Sequence, residues 1–552
     1  MHFNSMRLPQ LLTHFLVWIG SAHSLLSQPV WGNWTAWGDQ RDGTYQNPIL
    51  PGDYSDIDCI RVGDEFYAIS STFQYAPGMV ILKSKDLVHW TICGHAVHNI
   101  TEISPELNWD KMNRSGRGIW AGALRHHAGK FWVYFGTPDE GYFMTTATDV
   151  AGPWAPLTQL KKSAGWDDCC PFWDDDGQGY FIGSQFEHDP KNGKKYNIHL
   201  WKMTPDGKSL IAESDTILYQ SEGSEANKLF KHNGFYYHYF SEVKAEGRVP
   251  MMGRAKNILG PYERRQIGHV NRNQDMEPNQ GGIVQINDGS WWFFTHHGAG
   301  DWSGRCASLL PVTWTDGWPI LGKPGTDGIG NMVWSGRKPI QGIPPATPQT
   351  DDEFSNPSLS PQWEWHYHPR AGKWSLTEHP GFLRLHAFKP LGGDSLVKVG
   401  NILTQRTMRT SSNVVTTRME LSGMADGQRA GLCHLGAAAQ AAIGVIQEHG
   451  KRSLFFRTRS KLTSGAEIKD SAIWLRTSWG LDGMADFSIS FDGNFYQPIG
   501  EKFRMTWSAY RGDRIGLFSY NPDQEAGHAD FDWFHYAYSG QAIPSKHHQE
   551  TK

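Results

Sequence analysis

Short runs of bulky apolar residues, each introduced by a glycine, recur along the first part of the chain. Strand-forming residues dominate these runs, and the glycine before each run is typical of a turn. No long stretch shows the apolar period of an amphipathic helix. The five glycine-aromatic stretches are Gly63-Asp-Glu-Phe66-Tyr67, Gly129-Lys-Phe131-Trp132, Gly177-Gln-Gly-Tyr180-Phe181, Gly234-Phe235-Tyr236-Tyr237 and Gly289-Ser-Trp291-Trp292.

The spacing of these stretches predicts a repeat architecture. They return roughly every fifty to sixty residues, which suits a unit of several strands such as one blade of a β-propeller. We therefore predict an all-β protein whose first domain, residues 45–325, is a five-bladed β-propeller.

The rest of the chain predicts a second β domain. A segment rich in glycine and proline at 326–350 is typical of a linker, and short alternating runs separated by turns over 351–542 predict a β-sandwich. We expect the last residues, 543–552, to be disordered.

Acidic residues fall at related places in this repeat. Seven to nine residues before the five glycines stand, in order, Asp56, Trp120, Asp168, Glu225 and Gln280. Because the innermost strand of every blade lines the centre of a propeller, acids at equivalent places should meet in one pocket. Three carboxylates there predict at least one raised pKa. Such a set suits glycoside hydrolysis, which needs a carboxylic acid and a carboxylate.

The composition of the chain limits the classes of ligand and partner that we expect. The chain has 552 residues, 13% of them aromatic and 25 of them tryptophan, and its net charge is −4. No basic patch predicts nucleic acid or an anionic membrane as a partner, whereas many aromatic rings suit a neutral ligand such as a sugar. We expect an oligo- or polysaccharide substrate and a monomer or small homo-oligomer.

The first residues predict export. An apolar run at 11–19 followed by small residues is typical of a signal peptide, here residues 1–24, although a buried N-terminal segment is the alternative. Sequons at Asn33, Asn99 and Asn113 are compatible with a secreted, extracellular protein. The six cysteines show no zinc spacing, so buried thiols or one or two disulfides are both open.

Three acidic motifs resemble those of glycoside hydrolase family 43. The resemblance implies a five-bladed propeller, an inverting mechanism, Asp56 as general base, Glu225 as general acid and Asp168 as the carboxylate that orients the acid and raises its pKa. The C-terminal part is similar to the concanavalin-like sandwich of the family's β-xylosidase and α-L-arabinofuranosidase branch. The motifs are Asn47-Pro-Ile-Leu-Pro-Gly-Asp-Tyr-Ser-Asp56, Gly165-Trp-Asp-Asp168-Cys-Cys-Pro-Phe-Trp and Glu225-Ala-Asn-Lys-Leu-Phe-Lys.

Two motifs depart from the family's usual pattern. Ser55-Asp56-Ile57 stands where Pro-Asp-Pro is common, and Ala226-Asn227 stands where Gly-Pro is common. Each proposed acid also has a neighbour that could take its role. Asp53 and Asp58 compete with Asp56, Asp167 with Asp168, and Glu222 with Glu225.

Four further residues are predicted to bind the sugar. Phe73 and Trp120 could form aromatic walls, although either could be a core residue. Gln280 would offer a neutral hydrogen-bonding edge, and Arg305 resembles a family arginine that contacts the terminal sugar. His296 resembles a histidine beside a central metal ion, commonly calcium, so a structural Ca²⁺ is expected there or, alternatively, a core histidine. The chemistry itself requires no cofactor.

The sequence thus predicts a secreted exo-glycosidase. It would release terminal β-D-xylosyl or α-L-arabinofuranosyl units from xylan, arabinoxylan or related hemicellulose. The alternatives are an endo-arabinanase and a carbohydrate-binding propeller without catalysis. A sialidase is disfavoured because the arginines and the tyrosine that it needs are not found, and a fructosidase would be retaining.

Overall fold

The computed structural model describes residues 36–189, 193–270, 278–297, 301–458 and 461–540. The predicted signal peptide, the sequon at Asn33 and the predicted disordered tail lie outside these residues. Within them, no helix is both long and apolar enough to cross a membrane.

Five antiparallel sheets of four strands follow one another along the first domain, and we call them blades 1 to 5. Sheets of four strands fit the propeller blades that the sequence predicts. In chain order, their strands are Asp58–Val62, Glu65–Ser70, Gly78–Ser84 and Trp90–Val97; Gly122–His127, Lys130–Thr137, Gly141–Ala147 and Thr158–Lys162; Trp166–Trp173, Gly179–Asp189, Gly193–Met203 and Leu210–Ser221; Ser224–His232, Phe235–Lys244, Gly247–Ala255 and Glu263–Gln266; Gly281–Gln285, Trp291–His297, Cys306–Thr315 and Trp318–Leu321.

The glycine-aromatic stretches are the hairpins between the first and second strands of the blades. All five glycines have positive φ, between 62° at Gly63 and 88° at Gly289. This backbone conformation costs an L side chain about 1–2 kcal/mol and costs glycine little, which explains why glycine recurs there. The aromatic residues after each glycine begin the second strand.

The second domain is a β-sandwich of two eight-stranded sheets. The first sheet contains, in spatial order, Lys461–Ile468, Lys451–Thr458, Gln440–Glu448, Arg429–Leu435, Arg514–Tyr520, Ile402–Arg406, Glu364–His366 and Tyr75–Ala76. The second contains Trp374–Ser375, Leu383–His386, His528–Tyr538, Asn413–Glu420, Ala472–Trp479, Met484–Ser490 and Gln497–Pro498, with Phe503–Arg504 paired to Met484–Ser490.

The two domains share a sheet edge. Tyr75–Ala76, which lies between the second and third strands of blade 1, pairs with Glu364–His366 of the sandwich. One apolar cluster also contains buried residues of both domains, such as Met79 and Trp365. The remaining elements are the strands Gly38–Asp39, Thr44–Gln46, Lys323–Pro324, Gly330–Asn331 and Ser335–Arg337 and the 3₁₀ turns Ile100–Glu102, Pro105–Leu107 and Leu396–Lys398.

All six cysteines are free thiols, and all but the half-buried Cys93 are buried. Of the two readings that the sequence left open, thiols rather than disulfides are therefore observed.

Candidate active site

The first strands of blades 3 and 4 carry the same irregularity. Asp167 lies opposite Ser184 and Glu225 lies opposite Ser241, and the register then shifts by one residue in both blades. The residue inside each bulge has positive φ, 47° at Asp168 and 68° at Ala226. The two bulges are therefore equivalent, and Glu225 corresponds to Asp167.

Blade 1 has the matching conformation at Asp56, with a φ of 55°. The Ser71 N–H donates to the carbonyl oxygen of Ser55, the residue before Asp56, so Ser71 lies opposite Ser55 as Ser184 lies opposite Asp167 and Ser241 opposite Glu225. Asp56 is thus the counterpart of Asp168, whereas Glu225 stands one residue earlier in its repeat. The sequence prediction that all three acids share one structural position is wrong by one residue for Glu225.

Asp56 is held by three contacts. Its backbone N–H donates to His296 Nδ1 at 2.7 Å, and Ser71 Oγ donates to Oδ2 at 2.7 Å. Arg305 Nη1 donates to Oδ1 at 2.8 Å. The carboxyl group is 90% buried, so these donors fix its orientation. The predicted base and the predicted sugar-binding arginine are therefore direct partners.

Asp168 is buried between blades 3, 4 and 5. Gln280 Nε2 donates to Oδ2 at 2.8 Å, and the Ala226 N–H donates to the same oxygen. Burial, and then the negative charges of Glu225 and Asp56, raise the pKa of Asp168 to about 7. This is the raised carboxyl pKa that three clustered acids predict.

Lys228 was missed by sequence reasoning, although it follows Glu225 on the same strand. Its ammonium group is buried and donates to Gln280 Oε1 at 3.4 Å. An ammonium group can only donate, so this contact turns the amide oxygen towards Lys228 and the amide NH₂ towards Asp168. Lys228 thus orients Gln280. Its positive charge also lowers the pKa of Asp168, although burial and the neighbouring acids have the larger effect and raise this pKa.

Glu225 is half-buried and faces two donors that the sequence did not indicate. Arg248 Nη1 lies 3.3 Å from Oε1, and Asn279 Nδ2 donates to the same oxygen at 3.4 Å. Arg248 is thus an ion-pair partner of Glu225, and the charge of Glu225 in turn acts on Asp168. No sequence motif marks either donor, since both come from other strands or loops.

The competing acids occupy different surroundings. Glu222 is exposed, and Asp58 is buried beneath the site, where it accepts hydrogen bonds from the Leu124 N–H and from Arg125 Nη1. Asp53 is also buried and pairs with Arg511 of the sandwich at 2.9 Å. Asp53 and Asp58 therefore have structural partners of their own.

The two predicted aromatic walls differ in exposure. Trp120 is half-buried; its ring lies 6.3 Å from Phe186 at 25° and 5.5 Å from Tyr510, edge to face. Phe73 is only 1% exposed and packs under the Arg511 guanidinium. Trp120 therefore presents ring surface at the site, and Phe73 presents almost none.

The sandwich contributes to the site, which the sequence did not indicate. Trp507 lies 5.7 Å from the guanidinium of Arg305, and Tyr510, which is 51% exposed, contacts Trp120. Both residues lie on the segment before strand Arg514–Tyr520. One end of this segment is fixed where the Gly512 N–H donates to Asp53 Oδ2 at 3.2 Å.

Comparison with known proteins decides the family. Residues 45–319 match the sequence model of glycosyl hydrolases family 43, and residues 351–537 match that of the beta xylosidase C-terminal concanavalin A-like domain. The chain is 37% identical to a beta-xylosidase of Formosa agariphila over 92% of each sequence. The chain belongs to glycoside hydrolase family 43. It is accordingly a glycoside hydrolase, as the three acidic motifs predict.

Two further family 43 relatives bear on specificity. A non-reducing end alpha-L-arabinofuranosidase of Bacteroides ovatus is 32% identical over 64% of this chain and 67% of its own. A solved structure of a family 43 enzyme superimposes with a TM-score of 0.78 and 26% identity over 90% of this chain and all of that one. That enzyme is described as engineered to display both endo-xylanase and exo-arabinofuranosidase activity.

The calcium ion expected from family 43 finds a poor set of ligands at His296. Nδ1 of His296 already accepts the Asp56 N–H. Burial and the neighbouring charges of Arg305 and Lys228 hold the pKa of His296 well below its usual value, so the ring is neutral. Neutral imidazole is a poor calcium ligand, and two cations repel a third. A calcium ion stays a prediction that these described contacts do not support.

Proposed function

We propose that this family 43 enzyme is a secreted, inverting exo-glycosidase that releases terminal pentoses from xylan-type polysaccharides. The terminal unit would be β-D-xylosyl, α-L-arabinofuranosyl or both. The observation that carries the proposal is the set of hydrogen bonds that groups the three acids around one centre. Asp56 is bonded to His296, whose backbone N–H donates to the carbonyl oxygen of Gln280, and Gln280 donates to Asp168. Asp168 also accepts the N–H of Ala226, the residue after Glu225.

In the proposed reaction, Asp56 accepts a proton from the water that attacks the anomeric carbon. Arg305 and Ser71 both donate to its oxygens, which suits an ionised carboxylate in the role of base. Glu225 protonates the departing oxygen. We expect the carboxyl groups of Asp56 and Glu225 to lie about 6.5–9.5 Å apart, as inversion requires.

Asp168 would position the general acid. The Ala226 N–H, directly after Glu225, donates to Asp168 Oδ2, so Asp168 holds the backbone that carries the acid. Arg248 Nη1 contacts Glu225 Oε1 at 3.3 Å and would help to orient its carboxyl group.

The sandwich supports the exo mode. Trp507 and Tyr510 come from the second domain and stand beside Arg305 and Trp120 of the propeller. A wall contributed by another domain limits how far a polymer can extend through the site. A chain end fits such a site better than the middle of a chain.

The test is hydrolysis of aryl β-D-xyloside and aryl α-L-arabinofuranoside, with the anomer of the released sugar followed by NMR. We expect inverted product from at least one of them and single pentoses from arabinoxylan. Retained configuration would overturn the mechanism, and release of long fragments from arabinan alone would favour an endo-arabinanase.

Substitution of the acids tests their roles. Asp56→Asn and Glu225→Gln should each lower kcat by about 10²-fold or more, because each removes a proton-transfer step. The matched control is Glu222→Gln, which changes an exposed acid three residues from Glu225. Activity of either site variant near that of the control would remove its residue from the mechanism.

A further inference from the structure

Asp167 lies at the site but has no role in the proposed reaction. It occupies the register position in blade 3 that Glu225 occupies in blade 4, directly before the equivalent bulge. Side chains at equivalent positions of neighbouring blades point in similar directions relative to the propeller axis. Like Glu225, Asp167 is half-buried rather than enclosed.

One oxygen of the Asp167 carboxyl group has no hydrogen-bond partner. Within the described part of the chain, Oδ1 is fully buried and has no hydrogen-bond partner. The backbone N–H of Asp168 hydrogen-bonds the carboxyl group, and no side chain among these residues does so. Leaving such a group without a partner typically costs about 1–3 kcal/mol. Buried polar groups in folded proteins almost always have partners, so this one needs an explanation.

The neighbours of Asp167 are those of a ligand-binding wall. Gly136, whose carbonyl oxygen accepts the Trp120 N–H, lies so close that a Cβ there would stand 3.1 Å from Asp167 Oδ1. Tyr196 is close to both acids, because burial and then negative charges that include those of Glu225 and Asp167 raise the pKa of Tyr196. Asp167 therefore lies beside the strand that holds the backbone of Trp120 and close to the predicted general acid Glu225.

Burial and the neighbouring negative charges favour the protonated form of the Asp167 carboxyl group. Burial, and then the negative charges of Asp168 and Glu225, raise the pKa of Asp167 well above its usual value. A protonated carboxyl group has one O–H to donate and one oxygen to accept with, which is the pattern that a sugar hydroxyl completes.

We propose that Asp167 is a sugar-binding residue whose carboxyl group hydrogen-bonds a hydroxyl of the terminal pentose. The proposal rests on the pentose-releasing function proposed above and names one of its binding contacts. In the free enzyme no side chain among the described residues hydrogen-bonds this carboxyl group, and the substrate supplies a further partner. Loss of the contact should thus weaken binding more than it slows the chemical step.

The experiment compares Asp167→Asn and Asp167→Leu. Asparagine keeps a donor and an acceptor at this position and should leave KM within about threefold of the wild type. Leucine is similar in size but offers neither, so KM for the aryl pentoside should rise about tenfold or more while kcat changes less. Glu222→Gln serves as the unaffected control.

Deoxy substrates identify the hydroxyl group. With 2-deoxy, 3-deoxy and 4-deoxy xylosides, one deletion should weaken the wild type but add little to Asp167→Leu, which is the non-additivity expected of direct partners. Additive losses for every hydroxyl, or equal loss of kcat and kcat/KM in Asp167→Leu, would overturn the proposal.

Equilibrium binding separates this proposal from the proposed function. Titration calorimetry with D-xylose and L-arabinose in the Glu225→Gln background measures sugar affinity without turnover. If that protein binds pentose and adding Asp167→Leu leaves the affinity unchanged, the Asp167 proposal fails alone. If neither pentose binds and no pentoside is hydrolysed, the proposed function fails first.

Discussion

Asp168 makes the free energy of unfolding of the protein depend on pH. Its pKa is raised from 3.8 to about 7, so between these two values the folded chain holds a proton that the unfolded chain releases. Stability falls with rising pH wherever the folded state binds more protons. The contribution of Asp168 is therefore complete below about pH 4 and is lost as the pH rises through 7.

Asp168→Asn should remove the loss of stability that Asp168 causes as the pH rises. The amide keeps an oxygen for the Ala226 N–H but cannot ionise. Urea unfolding should show the variant gaining stability over the wild type between pH 4.5 and pH 8, by an amount on the order of 4 kcal/mol at most. Activity should fall, because the ionisable carboxyl group beside the predicted general acid is lost.

The exposed Asp64→Asn is the control for Asp168→Asn. Its stability difference from the wild type should stay nearly constant across the same range of pH. A pH-independent difference for Asp168→Asn as well would contradict the raised pKa.

At the scale of the element, the sequence predicts the hairpins well and the bulges poorly. A positive-φ turn selects glycine, so five glycines followed by aromatic residues mark the turns. The bulge conformation is adopted here by two aspartates, Asp56 and Asp168, and by Ala226, so no single residue type marks it. Counting residues back from the glycines therefore places Glu225 at the position of Asp168. The register of the paired strands places it at the position of Asp167 instead.

The positive φ of Ala226 strains its backbone, and the variant Ala226→Gly tests this strain. Glycine removes a strain of about 1–2 kcal/mol but loses a buried methyl group and gains chain entropy on unfolding, so stability should change by less than about 1 kcal/mol. The same change at Ala68, which is equally buried in a regular strand of blade 1, should destabilise clearly more.

Chemical unfolding of the two variants, with kcat/KM measured beside it, makes the comparison. Ala226→Gly should keep the position of Glu225 and hence its activity. Equal destabilisation by Ala226→Gly and Ala68→Gly would show that the bulge is unstrained.

At the scale of the whole molecule, the propeller and the sandwich form one active unit. Arg511 of the sandwich pairs with Asp53 and donates to the Ser71 carbonyl oxygen at 3.2 Å, and Ser71 in turn holds Asp56. Sequence could predict each domain from its own pattern. It could not predict this connection, because a single arginine more than four hundred residues from its partner leaves no local signal.

The Asp53–Arg511 pair is buried, with 2% and 4% of the two side chains exposed. Burial would raise the pKa of Asp53, but the charge of Arg511, the Arg305 N–H and the charges of Arg514 and Arg406 together outweigh burial and lower this pKa. Removing one partner from such a pair typically costs about 3–5 kcal/mol, because the other charge stays buried without compensation.

Asp53→Asn and Arg511→Met should therefore each destabilise strongly, and the double variant should lose less than the sum of the two. Each single variant should also lower kcat/KM, since Asp53 accepts the Arg305 N–H and Arg511 supports Ser71. Calorimetric unfolding of the four proteins measures the coupling. The exposed pair Lys502 and Asp486 provides a matched cycle in which little coupling is expected. If the losses at Asp53 and Arg511 add as independently as in that control cycle, the sandwich is not coupled to the catalytic base through this pair.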